Sequence, residues 1–306
     1  MEKLLLIDTF NFLHRAYHAL PKTFKAINGE PTNAVYGVTS MLITAFAQIK
    51  PNYVVAAFES RTPTARVIDY TSYKAHRKPM EDDLSVQIPK VEEIMQAFGI
   101  KMISFDGFEA DDVIATLAVK YKDEVEVIII SNDRDLWQLV SNNVLIMLPN
   151  TKGDTEWIGP KEAEARMGFP PSLIADYKGL RGDPSDNLPG VYGIGEKTAQ
   201  KLLTQFGSFD NIYLNLKSVE PFSLREKLEN CYEQAVMSRN LAKLHYDVPL
   251  DAKLEDCRYK EVNKLKVKEI LEKYNFKSLV RRMGFEPNPD SREKAPPKID
   301  NQLPLI

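Results

Sequence analysis

Val125-Glu126-Val127-Ile128-Ile129-Ile130-Ser131-Asn132-Asp133-Arg134-Asp135 reads as a strand that runs directly into a pair of carboxylates. Val127 to Ile130 are consecutive β-branched residues, as expected of a strand covered on both faces in a parallel sheet. Asp133 and Asp135 are spaced i, i+2 and share one side of an extended chain. Working outward, the same design recurs. Leu4–Ile7 is a short apolar strand closed by Asp8, and Tyr53–Phe58 is closed by Glu59. Lys101–Phe105 is followed by Glu109, Asp111 and Asp112. Helical patterns separate these strands: residues 33–48 with Thr32 or Asn33 as N-cap, Val86–Phe98 stopped by Gly99, and Asp111–Tyr121 with Val113, Ile114, Leu117 and Ala118 on one face. The alternation predicts an α/β fold, a mostly parallel sheet with helices on both faces.

Residues just beyond the carboxyl ends of parallel strands converge on one crevice. Four segments therefore send acids to one edge. Glu109 and Asp112, at i, i+3, share a face if a helix begins there. A further i, i+3 pair, Asp183 and Asp186, lies in the turn-rich stretch Arg181-Gly182-Asp183-Pro184-Ser185-Asp186-Asn187 and could close the cluster from a second domain. Taken one at a time, each acid reads equally as a helix cap or a solvated loop residue. Together they make nine carboxylates, whose mutual repulsion raises their pKa values unless cations compensate. Hard divalent ions suit an all-oxygen site, so Mg²⁺ or Mn²⁺ is expected, with two or more ions about 4 Å apart as one arrangement.

The chain has 306 residues, 43% of them hydrophobic, a charged fraction of 27% and a formal net charge of −3. No apolar run approaches the roughly 20 residues that cross a bilayer, and the start is too short and too polar for a signal peptide. The two cysteines, Cys231 and Cys257, lack CxxC spacing, so neither a disulfide framework nor a zinc ribbon is expected. The chain reads as cytoplasmic, monomeric and without a membrane partner. Its charge is segregated: Lys and Arg gather at residues 61–78 and 259–282. If residues from Thr64 are helical, Arg66, Tyr70, Tyr73, Lys74 and Arg77 form one stripe of cations and aromatics, suited to a phosphate backbone and unstacked bases. An amphipathic helix with a solvated basic face would read the same.

From about Pro170 the apolar runs become helical and the turns rich in Gly, Pro and Asp. The expected division is a catalytic domain at 1–170 with a basic arch at about 61–85, an all-helical domain at 171–284, and a proline-rich disordered tail at 285–306. Within the helical part, Gly193-Ile194-Gly195 opens a helix whose free N–H groups, with Lys197, can hold a phosphate without reading bases.

These segments together resemble the 5′ nuclease family: flap endonucleases and, more closely, the 5′→3′ exonuclease domain of bacterial DNA polymerase I. The resemblance runs from residue 4 to about 284. It is carried by His14-Arg15-Ala16-Tyr17-His18-Ala19-Leu20-Pro21, Glu30-Pro31-Thr32-Asn33-Ala34-Val35-Tyr36-Gly37, Tyr73-Lys74-Ala75-His76-Arg77, Phe108-Glu109-Ala110-Asp111-Asp112, Asn132-Asp133-Arg134-Asp135-Leu136 and Gly182-Asp183-Pro184-Ser185-Asp186-Asn187 with the Gly193-Ile194-Gly195 hairpin. It implies a PIN-like nuclease core, a helical arch passing a 5′ single strand, and a helix-hairpin-helix (H3TH) domain gripping duplex DNA. Asp8, Glu109, Asp111, Asp112, Asp133, Asp135, Asp183 and Asp186 would hold metal, with Glu59 where the family usually has Asp. Lys74 and Arg77 would contact the reacting phosphate. Arg66, Tyr73, Gly193, Gly195 and Lys197 would contact DNA, with K⁺ a further ion at the Gly193–Gly195 hairpin. A second departure is Thr9-Phe10 after Asp8, where the family usually has Gly-Ser. The expected activity is divalent-metal hydrolysis of DNA near 5′ ends and flaps, in replication primer removal or repair at the bacterial nucleoid. A catalytically weakened junction-binding protein and a PIN-type ribonuclease are the alternatives. The last residues, Gln302, Leu303, Leu305 and Ile306, resemble a sliding-clamp-binding peptide.

Overall fold

The computed structural model describes residues 1–149, 155–260 and 262–285. The chain runs β1 (Lys3–Asp8), α1 (Thr9–Ala19), α2 (Asn33–Ile49), β2 (Tyr53–Ala57), α3 (Ala65–Asp69), α4 (Asp82–Ser85), α5 (Ile88–Ala97), β3 (Lys101–Ile103), α6 (Ala110–Tyr121), β4 (Glu126–Ile130), β5 (Val144–Pro149) and β6 (Thr155–Ile158). Helices follow: α7 (Pro160–Met167), α8 (Ile174–Arg181), α9 (Glu196–Phe206), α10 (Phe209–Leu214), α11 (Phe222–Asn230), α12 (Tyr232–Ala242), α13 (Lys264–Lys273) and α14 (Lys277–Arg282).

Among the described residues the strands form one six-stranded sheet in the order β3-β2-β1-β4-β5-β6, with only β6 antiparallel. This is the mostly parallel α/β sheet that the strand–helix alternation predicts. Successive β1 residues point to opposite faces. Leu4 and Leu6 enter a core with α6 and the helices from α7 to α12, while Leu5 and Ile7 enter a second core with α1, α2 and α5. Leu5, Leu6 and Ile7 are wholly buried, each contributing about 1.5–3 kcal/mol on burial. The register aligns Asp8 with Ala57, and Ile7 with Ile130. The chain leaves β1 toward β2 on one side and returns to β4 on the other, so β1 and β4 flank the point where strand order reverses and a crevice opens.

Two expected elements differ. The arch is not one long helix. α3 ends at Asp69, residues 71–76 form consecutive turns, and Lys74 is left-handed at φ 54°. Thr71 and Ser72 are residue types whose hydroxyls compete for backbone groups and favour turns. The helical region also does not remain one unit to residue 284. After α12 the chain returns to the sheet: Tyr259 donates its N–H to Asn52 O at 2.7 Å. α13 and α14 then bury Val267, Leu271, Leu279 and Val280 in the core shared with α2 and α5. Their amphipathic pattern required a covered face but did not specify which neighbour covers it. Among the described residues, no helix is long and apolar enough to cross a membrane.

Candidate metal centre

Asp8 is both the last residue of β1 and the N-cap of α1. Its Oδ1 accepts the Asn11 N–H at 3.1 Å and its Oδ2 accepts the Ser131 hydroxyl at 2.7 Å. Burial pushes its carboxyl up to about 7 against those two bonds, with Asp133 and Glu59 adding repulsion. Glu59, just past β2, accepts the Ala110 N–H at the start of α6 at 3.3 Å. Burial and the Glu109 charge raise it. Asp111, in the first turn of α6, is held well above the usual carboxylate range by desolvation and then by Asp133, Asp8, Glu59 and Glu109. It makes no ion pair among the described residues. Asp133 caps the next turn, accepting the Asp135 N–H at 2.8 Å. Acids from the ends of β1, β2 and β4 and from the head of α6 thus share one electrostatic environment at the crevice.

A second group lies beside the first. Carboxylate oxygens of Asp135, Asp183 and Asp186 all lie within 4.8 Å of one another. The pair on residues 183 and 186 does close the cluster from the helical region. Its turn is fixed by backbone: Asp183 and Leu188 exchange N–H···O bonds at 2.8 Å each, and the Val191 N–H reaches Leu180 O at 2.8 Å. Gly190 sits at φ 60°, and a Cβ there would lie 2.1 Å from Gly182 N. Gly190→Ala is therefore expected to cost about 3 kcal/mol or more. It should weaken Mn²⁺ binding as the turn shifts, as thermal melting and calorimetric titration would show. A variant that melts and titrates like the parent would refute this account of the turn.

The cations around these acids are also specific. Lys178, which the sequence reading passed over, reaches Asp183 Oδ2 at 2.5 Å and also pairs with Asp135. Burial pushes the Asp135 carboxyl up to about 6 in spite of that lysine, with Asp133 and Asp186 adding to the rise. Burial would raise Asp183 too, but Lys178 and the two Ser185 donors prevail and hold it low. Lys178 lies five positions before Asp183 in the last turn of α8; a lone lysine at a helix end is common and marks nothing by itself. Lys74 Nζ lies 2.9 Å from both Glu109 oxygens, and Arg77 Nη2 lies 2.6 Å from Asp186. The main chain of the arch is pinned to the same turn, since Lys74 N–H donates to Asp186 O at 3.0 Å. Arg15 and Asn11, also unflagged, hold the Asn132 side chain.

Three expected site residues are placed otherwise. Asp112 is wholly buried; its oxygens accept two Arg66 N–H groups at 2.7 Å each, His245 N–H at 2.9 Å and Glu109 N–H at 3.1 Å. Burial opposes ionisation, but those donors hold Asp112 below its ordinary range. Both of its oxygens are engaged by protein donors in this structure. Arg66 is correspondingly not a free DNA contact: it is buried and also donates to the Leu241 and Lys243 carbonyls. Tyr73 is only 4% exposed, and its hydroxyl faces Glu109 at 3.3 Å, so its ring is not open to a base. The Gly193–Gly195 hairpin does form a turn at the head of α9, with Lys197 exposed and Lys227 Nζ close beside Gly193. Residues 302–306 lie outside the described residues.

A resolvase-like α/β sheet with acids gathered at its carboxyl edge, joined to a helical module, defines a carboxylate-centred nuclease class. The family model for the 5′–3′ exonuclease N-terminal resolvase-like domain matches residues 3–168, and the model for the C-terminal SAM fold matches residues 169–265. The chain belongs to the 5′–3′ exonuclease family. It is 44% identical over 287 residues to DNA polymerase I of Caldicellulosiruptor bescii, covering 92% of this chain and 34% of that protein. With DNA polymerase I of Bacillus caldotenax the identity is 38% over 298 residues, covering 96% and 33%. The chain thus spans about a third of the length of the curated relatives it matches. Its fold is similar to that of the bacteriophage T5 D15 flap endonuclease, solved as a pseudo-enzyme–product complex with DNA and metal ions (TM-score 0.66, 19% identity, 90% of this chain and 100% of that one). It is also similar to human GEN1 in complex with Holliday junction DNA (TM-score 0.60, 15% identity, 89% and 68%).

Proposed function

We propose that this chain is a divalent-metal-dependent 5′→3′ exonuclease and flap endonuclease that hydrolyses DNA phosphodiesters near 5′ ends. One observation carries the reading: Asp8, Glu59, Asp111 and Asp133 act electrostatically on one another with no ion pair to any described lysine or arginine, next to the group in which oxygens of Asp135, Asp183 and Asp186 lie within 4.8 Å of one another. Asp8, Glu59 and Asp111 are raised first by desolvation and then by neighbouring carboxylates, a strain that hard divalent cations relieve, so the all-oxygen donor set fits Mg²⁺ or Mn²⁺. Such ions, when bound, supply a low-pKa water and charge neutralisation at the scissile phosphate. The side chains of this protein do the rest. Asp8 is held in place by Ser131 and Asn11, and Asp133 by the turn it caps. Lys74 and Arg77 stand at the acid edge, where they can neutralise a phosphate's charge as DNA enters. The exposed Gly193–Gly195 hairpin with Lys197 and Lys227 offers N–H groups and cations to a duplex backbone; a K⁺ ion on the same turn belongs to this proposal. The solved DNA complexes of structures with this fold support the choice of DNA. We place the activity in the bacterial cytoplasm, in primer removal or repair.

A 5′-labelled flap duplex incubated with Mg²⁺ or Mn²⁺ should be cut near the junction and leave 5′-phosphate products, and EDTA should abolish the cutting. Single-stranded RNA run alongside should remain intact. Tight flap binding without cleavage, or cleavage of RNA alone, would overturn the proposal.

A further inference from the structure

A cleft of about 290 Å³ opens beside the Asp135, Asp183 and Asp186 group, between the turn after β4 and helices α7 to α9. Two of its lining arginines are exposed and have no ion-pair partner among the described residues, Arg134 and Arg181. Each stands over an aromatic ring: Arg134 is 5.7 Å from the Trp137 centroid and Arg181 is 5.8 Å from that of Tyr177. Stacking steadies a guanidinium plane while leaving its fork of donors free, the arrangement that suits a phosphate. Both arginines line this one cleft, with Tyr177 beneath Arg181. Tyr177 is only 8% exposed, lines the cleft, and its hydroxyl has no hydrogen-bond partner among the described residues. The hydroxyl opens on the cleft, where it can donate to a ligand oxygen.

We infer that Arg134, Tyr177 and Arg181 form a subsite for a backbone phosphodiester of the DNA strand, next to the second carboxylate group and apart from the Gly193–Gly195 hairpin. The inference rests on the nuclease reading above. It makes the three residues positioning groups: they set where the strand lies relative to the acids without touching the reacting phosphate.

The test is fluorescence anisotropy of a labelled 5′-flap duplex in EDTA across several salt concentrations. It would use the parent, an Arg134→Gln/Arg181→Gln variant, the matching Arg→Lys pair, and Tyr177→Phe, with Mn²⁺ binding followed separately by electron paramagnetic resonance. The Gln pair should weaken binding about tenfold and reduce the slope of log K against log salt by about 1, since one lost phosphate contact removes roughly 0.9. The Lys pair should keep most of the slope yet bind more weakly than the parent, and Mn²⁺ affinity should be unchanged in both. Tyr177→Phe should weaken binding without changing the slope. Unchanged affinity and slope in a folded Gln pair would overturn the subsite while leaving the nuclease reading intact. Loss of Mn²⁺ affinity together with DNA affinity would also overturn it, because the arginines would then act through the acids. A parent that neither binds nor cuts the flap would remove the nuclease reading and the subsite with it.

Discussion

Asp111→Asn should abolish cleavage, by at least about 10³-fold in kcat, while leaving flap binding at parental strength or tighter. The side chain is nearly isosteric, so the fold has no reason to change. What disappears is a charge that desolvation opposes first and that Asp133, Asp8, Glu59 and Glu109 oppose next, the causes that hold the Asp111 carboxyl high. In the metal-free protein that charge is a liability, and its loss should stabilise the fold by on the order of 1 kcal/mol, a few degrees in Tm. The sign with pH follows from the direction of the shift. A carboxyl whose folded pKa lies above its unfolded value of 3.8 holds more protons in the native state, so stability falls as pH rises through that window. Asp8 at about 7 and Asp135 at about 6 behave alike. The Tm advantage of Asp111→Asn should therefore be absent near pH 4 and grow toward pH 8. Added Mg²⁺ should reverse the ranking, because the parent gains binding free energy that the variant lacks. Melting curves across pH with and without Mg²⁺, beside single-turnover cleavage, check all of this. A variant that still cleaves within a few-fold of the parent, or that melts lower without metal, would sink the catalytic reading.

How far the chain betrays this arrangement can be judged residue by residue. Val127–Ile130 and Leu4–Ile7 are legible because a doubly covered strand admits little but aliphatic residues, and a parallel sheet then sends whatever follows to one edge. That logic reaches Asp8, Glu59 and Asp133, while the Asp183–Asp186 turn is marked only by its own i, i+3 spacing of acids. It does not separate Asp111 from Asp112. These neighbours differ by about 100° around a helix, and which of them faces the acids depends on how α6 is rotated over the sheet. Lys178 is invisible for a related reason: its meeting with Asp135 and Asp183 is made by the docking of α8, not by any local pattern. The basic stripe of the arch fails where the helix breaks at Asp69, and two of its members, Arg66 and Tyr73, turn inward. Amphipathicity likewise reveals that α13 and α14 bury a face, yet only tertiary structure shows that α2 and α5 receive it. Local chemistry thus identifies which residue types gather, while the pairing of charges, and hence which acids stay free for metal, is decided by packing.

Arg66→Ala should lower stability by about 3–5 kcal/mol, the cost of leaving Asp112 buried without its cation, and Asp112→Ala should cost somewhat less because Glu109 still lies 3.4 Å from Arg66. For a chain of this size about 3–5 kcal/mol is roughly 5–8 °C in Tm. The effect is large because Arg66 is only 5% exposed and joins three parts of the molecule. It lies on α3 at the foot of the arch, grips both oxygens of Asp112 on α6, and caps the carbonyls of Leu241 and Lys243 at the end of α12. Asp112 answers by holding the His245 N–H, so the same pair ties the return of the chain from the helical module to the catalytic helix. Replacing both charges, as in Arg66→Ala/Asp112→Ala, removes the lone buried ion but leaves those carbonyls and the His245 N–H without their donors and acceptor. The double variant should therefore recover only part of the loss, and the coupling free energy of the cycle should still be at least about 2 kcal/mol. The functional corollary separates this pair from the metal site. At a temperature where Asp112→Ala remains folded, its Mn²⁺ affinity should stay within a few-fold of the parent, whereas Asp111→Asn should lose most of it. Chemical denaturation of the cycle with Mn²⁺ titration of each folded variant is the measurement. If Asp112→Ala melts normally but loses the ion, Asp112 is a metal ligand after all and the latch reading is wrong.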